Sequence, residues 1–153
     1  MINYENLHKT NQPFEEAFKQ KFEGFLQNGW YILGNEVETF EQNFASYCQA
    51  KYCVGVANGL DALELGLQVL NIPKNAEIIV SSNTYIATIL AIVNQGFKPV
   101  LVEPTRSTYT IDPSKIEEKI TSATKAIMVV HLYGRIAEMD KIVALAEKYN
   151  LEI

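Results

Sequence analysis

The sequence predicts an α/β fold: a three-layer, doubly wound, mostly parallel sheet preceded by N-terminal helices. Three observations carry this. Short apolar runs recur after Lys51, at "YCVGVA", "EIIVS", "KPVLVE" and "KAIMVVHL". A helical pattern follows each of them, over residues 60–70, 84–95, 113–120 and 138–149. The runs are continuous rather than alternating, as strands buried on both faces are, and strands alternating with helices favour a parallel sheet.

The elements follow in chain order. In "PFEEAFKQKFEGFLQNG" residues Phe14, Phe18, Phe22 and Phe25 fall at helical spacing, with Pro13 at the first turn and Gly29 at the end. "NEVETFEQNFASYCQA" carries a second stripe of Val37, Phe40, Phe44 and Tyr47. Both stripes suit core or subunit contacts better than a cofactor box. Residues 1–50 are thus expected to form an N-terminal arm with helices, and residues 51–153 the sheet domain. Cys48 is placed near the end of a helix and Cys53 at the opening of a strand, both as small apolar side chains. The last residues, "LEI", read as the opening of a fifth strand.

Composition excludes several classes. The 153 residues suffice for one domain with a real core. At 48% hydrophobic and 20% charged they match ordinary soluble domains. A net charge of −5 gives no electrostatic case for nucleic acid or an anionic membrane surface. The N-terminus lacks the apolar core of a secretory signal, and the run "TYIATILAIV" is too short to span a bilayer. A cytoplasmic location is the expectation. Two cysteines and two histidines, His8 and His131, form no metal-ligand spacing, so no metal is expected.

The stretch "VGVANGLDALELGL" turns from an apolar run straight into a helix. In open α/β sheets ligands bind beyond the carboxyl ends of the strands, where helix starts present free backbone N–H groups and a dipole that favours anions. Gly59 lets the backbone approach closely, Asn58 can cap the helix, and Asp61 sits in the first turn. The residues alone leave two readings open: a phosphate cradle of amides from Gly59 to Ala62, or an ordinary capped turn. Neither a dinucleotide nor a P-loop glycine motif is present. In "SSNTYIATILAI" Tyr85 should fall in the first turn of the next helix, at the same edge. It could stack on a planar heteroaromatic ligand. On the residues alone a core position is the commoner role.

Five blocks in order, "NGWYILGNEVETFEQNFASYC", "YCVGVANGLDALELGL", "SSNTYIATILAI", "LVEPTRSTYTIDPSKIEEKIT" and "VVHLYGRIAEMDKIVALAEKY", resemble the N-terminal portion of the DegT-type (DegT/DnrJ/StrS) sugar aminotransferases. "GWYILG" with "NGLDAL" is similar to the subgroup that aminates 3-keto-6-deoxyhexoses carried on dTDP. The resemblance implies an incomplete large domain of a fold type I enzyme using pyridoxal 5'-phosphate. It implies a nucleotide-linked keto sugar as acceptor, L-glutamate as amino donor, and a homodimer. Gly59, Leu60 and Asp61 match the segment that binds the cofactor phosphate, and Tyr85 matches the aromatic that stacks on the pyridine ring, which overturns the core reading. Ser81 stands where the family usually has Pro, and is expected to loosen the turn beside Tyr85. Arg135 stands where Gln is common and adds a positive charge near the sheet edge. The Asp that pairs with the pyridinium nitrogen and the Schiff-base Lys belong, in the family, to blocks beyond Ile153. No catalytic residue is therefore assigned within residues 1–153. The other readings are a phosphate-binding doubly wound domain without chemistry, and an inactive fragment.

Overall fold

The computed structural model describes residues 4–153. The chain divides into two compact units, Met1–Gly55 and Val56–Ile153.

In the first unit, helix α1 (Leu7–Asn11) is capped by Asn6, whose side chain accepts the Lys9 N–H at 3.0 Å. A 3₁₀ turn over Gln12–Phe14 takes Pro13, and α2 (Glu15–Asn28) follows. It ends where predicted, at Gly29, with φ of 71°. That left-handed conformation is the usual helix stop and suits a residue without Cβ. Helix α3 (Asn35–Tyr47) ends at Cys48 as expected. The aromatic stripes form, with Phe14–Phe18 centroids 6.2 Å apart and Phe40–Phe44 5.6 Å apart, but these side chains stay exposed. Among the described residues of this unit, Ala45 is the one fully buried hydrophobic side chain. The stripes are therefore not a core within this unit.

The expected first strand, "YCVGVA", does not form. Residues 52–57 carry no strand, and Tyr52, Val54 and Val56 are exposed. A β-forming run becomes a strand only when a neighbour supplies ladder partners. The described strands are Glu77–Ser81, Lys98–Val102 and Thr124–Met128 alone, and this segment is not among them. Cys53 accordingly opens no strand and is half-buried. The segment's recorded tether is the Gly55 N–H, which donates to Glu41 Oε1 at 2.7 Å.

The second unit opens with α4 (Gly59–Val69). Strand β1 (Glu77–Ser81), helix α5 (Ile86–Asn94), β2 (Lys98–Val102) and β3 (Thr124–Met128) follow, and α6 (Met139–Tyr149) closes it. The strands are all parallel in the order β2-β1-β3, with Ile79 opposite Val100 on one side and Ile127 on the other. Side chains alternate across the sheet. Ile78, Val80 and Ala126 pack with Leu67, Ala91 and Ile92 of α4 and α5. Ile79, Val102 and Ile127 pack with Ile116, Ile142 and Ala146 on the other face. These are the three layers the sequence predicts. β2 is an end strand, and Pro99 within it fits that place, because a residue with no N–H is tolerated at an edge. "LEI" makes one parallel bridge, Glu152 to Ala126, in the direction expected of a fifth strand.

Residues 113–120 depart from the predicted helix. They form two 3₁₀ turns, Pro113–Lys115 and Glu117–Lys119. Pro113 and Ile116, three apart, are both buried, and a period of three places them on one face. The start is fixed by Ser114, whose N–H (3.0 Å) and hydroxyl (2.7 Å) both donate to Asp112 Oδ1. The hydroxyl bond is the main reason that carboxyl is held below its ordinary range.

Expressed alone, residues 1–153 are expected to self-associate. Leu101 on the end strand and the aromatic faces of α2 and α3 are exposed, and β3 is bridged on its outer side only at Glu152. Size-exclusion chromatography with light scattering checks this. A monodisperse monomer would contradict it.

Candidate cofactor-phosphate site

The sheet's carboxyl edge is built by two helix starts. β1 ends at Ser81, the chain turns through residues 82–84, and α5 begins beyond Tyr85. Helix α4 runs beside α5 in the same direction. Gln68 Nε2 donates to Gln95 Oε1 at 2.9 Å, and Asn94 Nδ2 to Glu64 Oε1 at 2.7 Å, pairing the C-terminal halves. Both N-termini therefore face the same edge. At 1.5 Å per residue, Gly59 lies about 7.5 Å before Glu64, and Ile86 about 12 Å before Asn94. Gly59 and Tyr85 thus lie at the same end of the paired helices.

At the start of α4, Asn58 is the cap, extended at φ −162° and ψ 174°. Its Oδ1 accepts the Asp61 N–H at 3.0 Å, and its Nδ2 donates to Asp61 Oδ2 at 3.2 Å. The Ala62 N–H donates to the Asn58 carbonyl at 3.2 Å. The free backbone donors are consequently fewer than the expected run from Gly59 to Ala62. Asp61 and Ala62 have spent their N–H groups, and those of Gly59 and Leu60 have no acceptor among the described residues. A Cβ added at Gly59 would meet nothing within 4 Å, so the space over this turn is open. The Leu60 side chain is half-buried against the α4–α5 core, which leaves only its backbone to face a ligand.

Tyr85 is the cap residue of α5, not part of its first turn. It is extended at φ −62° and ψ 141°, and its carbonyl accepts the Thr88 N–H at 3.0 Å. The helix starts later than predicted because the preceding turn is held in place by side chains. Thr84 Oγ1 and Thr88 Oγ1 lie 2.9 Å apart, and Asn83 is bonded at both ends of its amide. Tyr85 is 73% exposed and takes no part in the core of the described residues. Ser81 is buried and donates its hydroxyl to Asn83 Oδ1 at 2.6 Å. It ties the turn rather than loosening it, because a serine hydroxyl can donate where proline cannot.

Beyond the end of β3, His131 Nδ1 accepts the Ala137 N–H at 3.2 Å. Tyr133 (φ 56°) and Gly134 (φ 76°) then make a left-handed turn, and Arg135 follows, exposed and outside the ion pairs of the described residues. Its charge does lie past a strand's carboxyl end, as its sequence position suggests. An apolar groove of about 370 Å³ lies between α4 and β3, lined by Leu63, Gly66, Leu67, Ala126 and Met128 among others. It runs along the flank of α4 and offers no cluster of polar donors. No metal-binding cluster and no helix able to cross a membrane occur among the described residues.

The profile of the DegT/DnrJ/EryC1/StrS aminotransferase family matches residues 12–153. The chain belongs to this family. This DegT-family chain is 57% identical over all 153 of its residues to a dTDP-3-amino-3,6-dideoxy-alpha-D-galactopyranose transaminase of Aneurinibacillus thermoaerophilus, and spans 42% of that protein. The crystal structure of S. venezuelae DesV in complex with a ketimine intermediate superposes with a TM-score of 0.93 at 40% identity, over 99% of this chain and 42% of that one. NtdA of Bacillus subtilis with bound cofactor PMP gives 0.86 at 34% identity, over 90% of this chain and 32% of that one. The DegT-family chain therefore spans about two fifths or less of these relatives. Sequence reasoning placed the turn and the tyrosine at one edge but missed Asn83. The polar run "SSNT" between an apolar strand and an apolar helix is the signal it carried.

Asn58→Ala in the full-length protein is expected to cost about 1 kcal/mol of stability through loss of the cap, while Asn58→Ser should cost much less. Urea denaturation of the three proteins measures both.

Proposed function

We propose that the full-length protein transfers an amino group to the keto group of a nucleotide-linked sugar of the dTDP-3-keto-6-deoxyhexose type. It does so with pyridoxal 5'-phosphate, with L-glutamate as donor, as a cytoplasmic homodimer. The carrying observation is the pair of unpartnered amides at Gly59 and Leu60, set at the same sheet edge as the exposed ring of Tyr85. The 57% identity to a dTDP-aminosugar transaminase supports the substrate class. The exposed aromatic faces of α2 and α3 support a subunit contact.

The residues present fit the cofactor. A phosphate needs several N–H donors and no side chain in its way, and the α4 start offers two free amides, the helix dipole, and an open approach over Gly59. Asp61 serves this turn by its reciprocal bonds with Asn58, which hold its carboxylate to the cap. Tyr85 supplies an aromatic wall at the same edge, suited to offset stacking on a flat ring. Pyridoxal phosphate, when bound, supplies the electron sink that amino transfer requires. The role of these residues is to bind and orient it.

Gly59→Val should weaken pyridoxal phosphate binding by about ten- to a hundred-fold, the equivalent of roughly 1.5–3 kcal/mol for a lost charge-assisted hydrogen bond. Titration of the apoprotein measures this, and unchanged affinity in a folded variant would remove the cradle. Tyr85→Phe should be mild and Tyr85→Ala severe for cofactor retention. Because the ring is largely exposed, Tyr85→Ala should change stability by only about 0.5 kcal/mol. A large fall in the thermal midpoint with cofactor affinity intact would refute the stacking role.

A further inference from the structure

We propose that Asn83 is the positioning residue of the stacking wall, holding Tyr85 through a hydrogen-bonded bridge that joins the end of β1 to the loop after β2. The inference rests on the reading of Tyr85 as the ring's stacking face. Asn83 Oδ1 accepts the Ser81 hydroxyl at 2.6 Å, and Asn83 Nδ2 donates to the Tyr109 carbonyl at 2.9 Å. A carbonyl can only accept, so the amide's orientation is fixed by its two partners, and only a side chain with both a donor and an acceptor completes the bridge.

Both anchors are themselves paired within the fold. Ser81 is 3% exposed and sits in the ladder opposite Val102. Tyr109 has φ of 59°, and its N–H donates to the Thr105 carbonyl at 2.8 Å. The Thr105 N–H in turn donates to the Thr110 carbonyl at 2.9 Å, closing a tight loop. The Ser82 N–H adds a bond to the Val102 carbonyl at 2.9 Å. Tyr85 itself is exposed, and its side chain makes no hydrogen bond or aromatic contact among the described residues. Its ring is therefore placed by the backbone of residues 83–85, which Asn83 ties to the loop after β2 while the Ser82 N–H and the Thr84–Thr88 pair hold it to β2 and α5. A wall ordered before the ligand arrives avoids the entropy cost of ordering it on binding. The hydroxyl that completes the bridge comes from Ser81, where the resemblance leads one to expect Pro.

The test is a double-mutant cycle in the full-length apoprotein, comparing Asn83→Ala, Asn83→Ser, Tyr85→Ala and the double variants. Pyridoxal phosphate affinity is measured by titration, and hydrogen exchange of residues 82–88 is measured without cofactor. Either Asn83 variant is expected to weaken binding about five- to thirtyfold, the range of one to two neutral hydrogen bonds. Each should also speed exchange at residues 83–86 while β1 stays protected. Added to Tyr85→Ala, neither should weaken binding further, because the pathway through Tyr85 is already gone. Asn83 effects that add in full to that of Tyr85→Ala, or unchanged exchange, overturn the positioning role while leaving the stacking wall in place. Unchanged affinity in Tyr85→Ala overturns the stacking wall itself and the positioning role with it.

Discussion

The second unit depends on the burial of β1 on both faces at once. Ile78, Ile79 and Val80 are each fully buried, and alternation sends Ile78 and Val80 to one face and Ile79 to the other. Full burial of a Val or Ile side chain stabilises by about 1.5–3 kcal/mol, so neither face can be left open without a large loss. Helices must cover both faces. Parallel neighbours then follow, because each crossover returns the chain from the end of one strand to the start of the next, through α5 between β1 and β2 and through the two 3₁₀ turns between β2 and β3. The same geometry brings the starts of α4 and α5 to one edge of the sheet. The candidate site is thus a consequence of how the core is satisfied.

Backbone donors are distributed unevenly at that edge. The α4 start spends the Asp61 and Ala62 amides on Asn58 and leaves two free, which suits an anion arriving from outside. The α5 start is organised by side chains instead, through Ser81, Asn83 and the Thr84–Thr88 pair. One helix start leaves backbone donors free, and the other leaves an aromatic ring exposed. Both arrangements use short polar residues, whose groups compete with the backbone for hydrogen bonds and so favour caps and turns over helix interiors.

The first unit follows a different logic. Its helices carry regular aromatic stripes, yet those rings lie on exposed faces rather than in a core of their own. Residues 52–57 have the composition of a strand with no ladder partner among the described residues. In both places the apolar pattern specifies a surface to be covered, and the local chain supplies no cover.

Periodicity was enough to read most of the framework from the sequence. Continuous apolar runs at 77–81, 98–102 and 124–128 became strands because their residues alone demand burial on both faces. Gly29 and Asn58 marked a helix end and a helix start through local backbone preference. The corner at Gly59 was legible for the same reason. Tertiary structure decided what depends on partners distant in sequence. Residues 52–57 stayed unpaired because strand formation is a property of pairs. Residues 113–120 tightened to 3₁₀ turns because Pro113 and Ile116 are buried together. Tyr85 moved to the cap, and Ser81 became a clasp, because Asn83 reaches a carbonyl 26 residues away. A hydrogen bond over that separation leaves no periodic trace in the chain, so only the folded arrangement could reveal it.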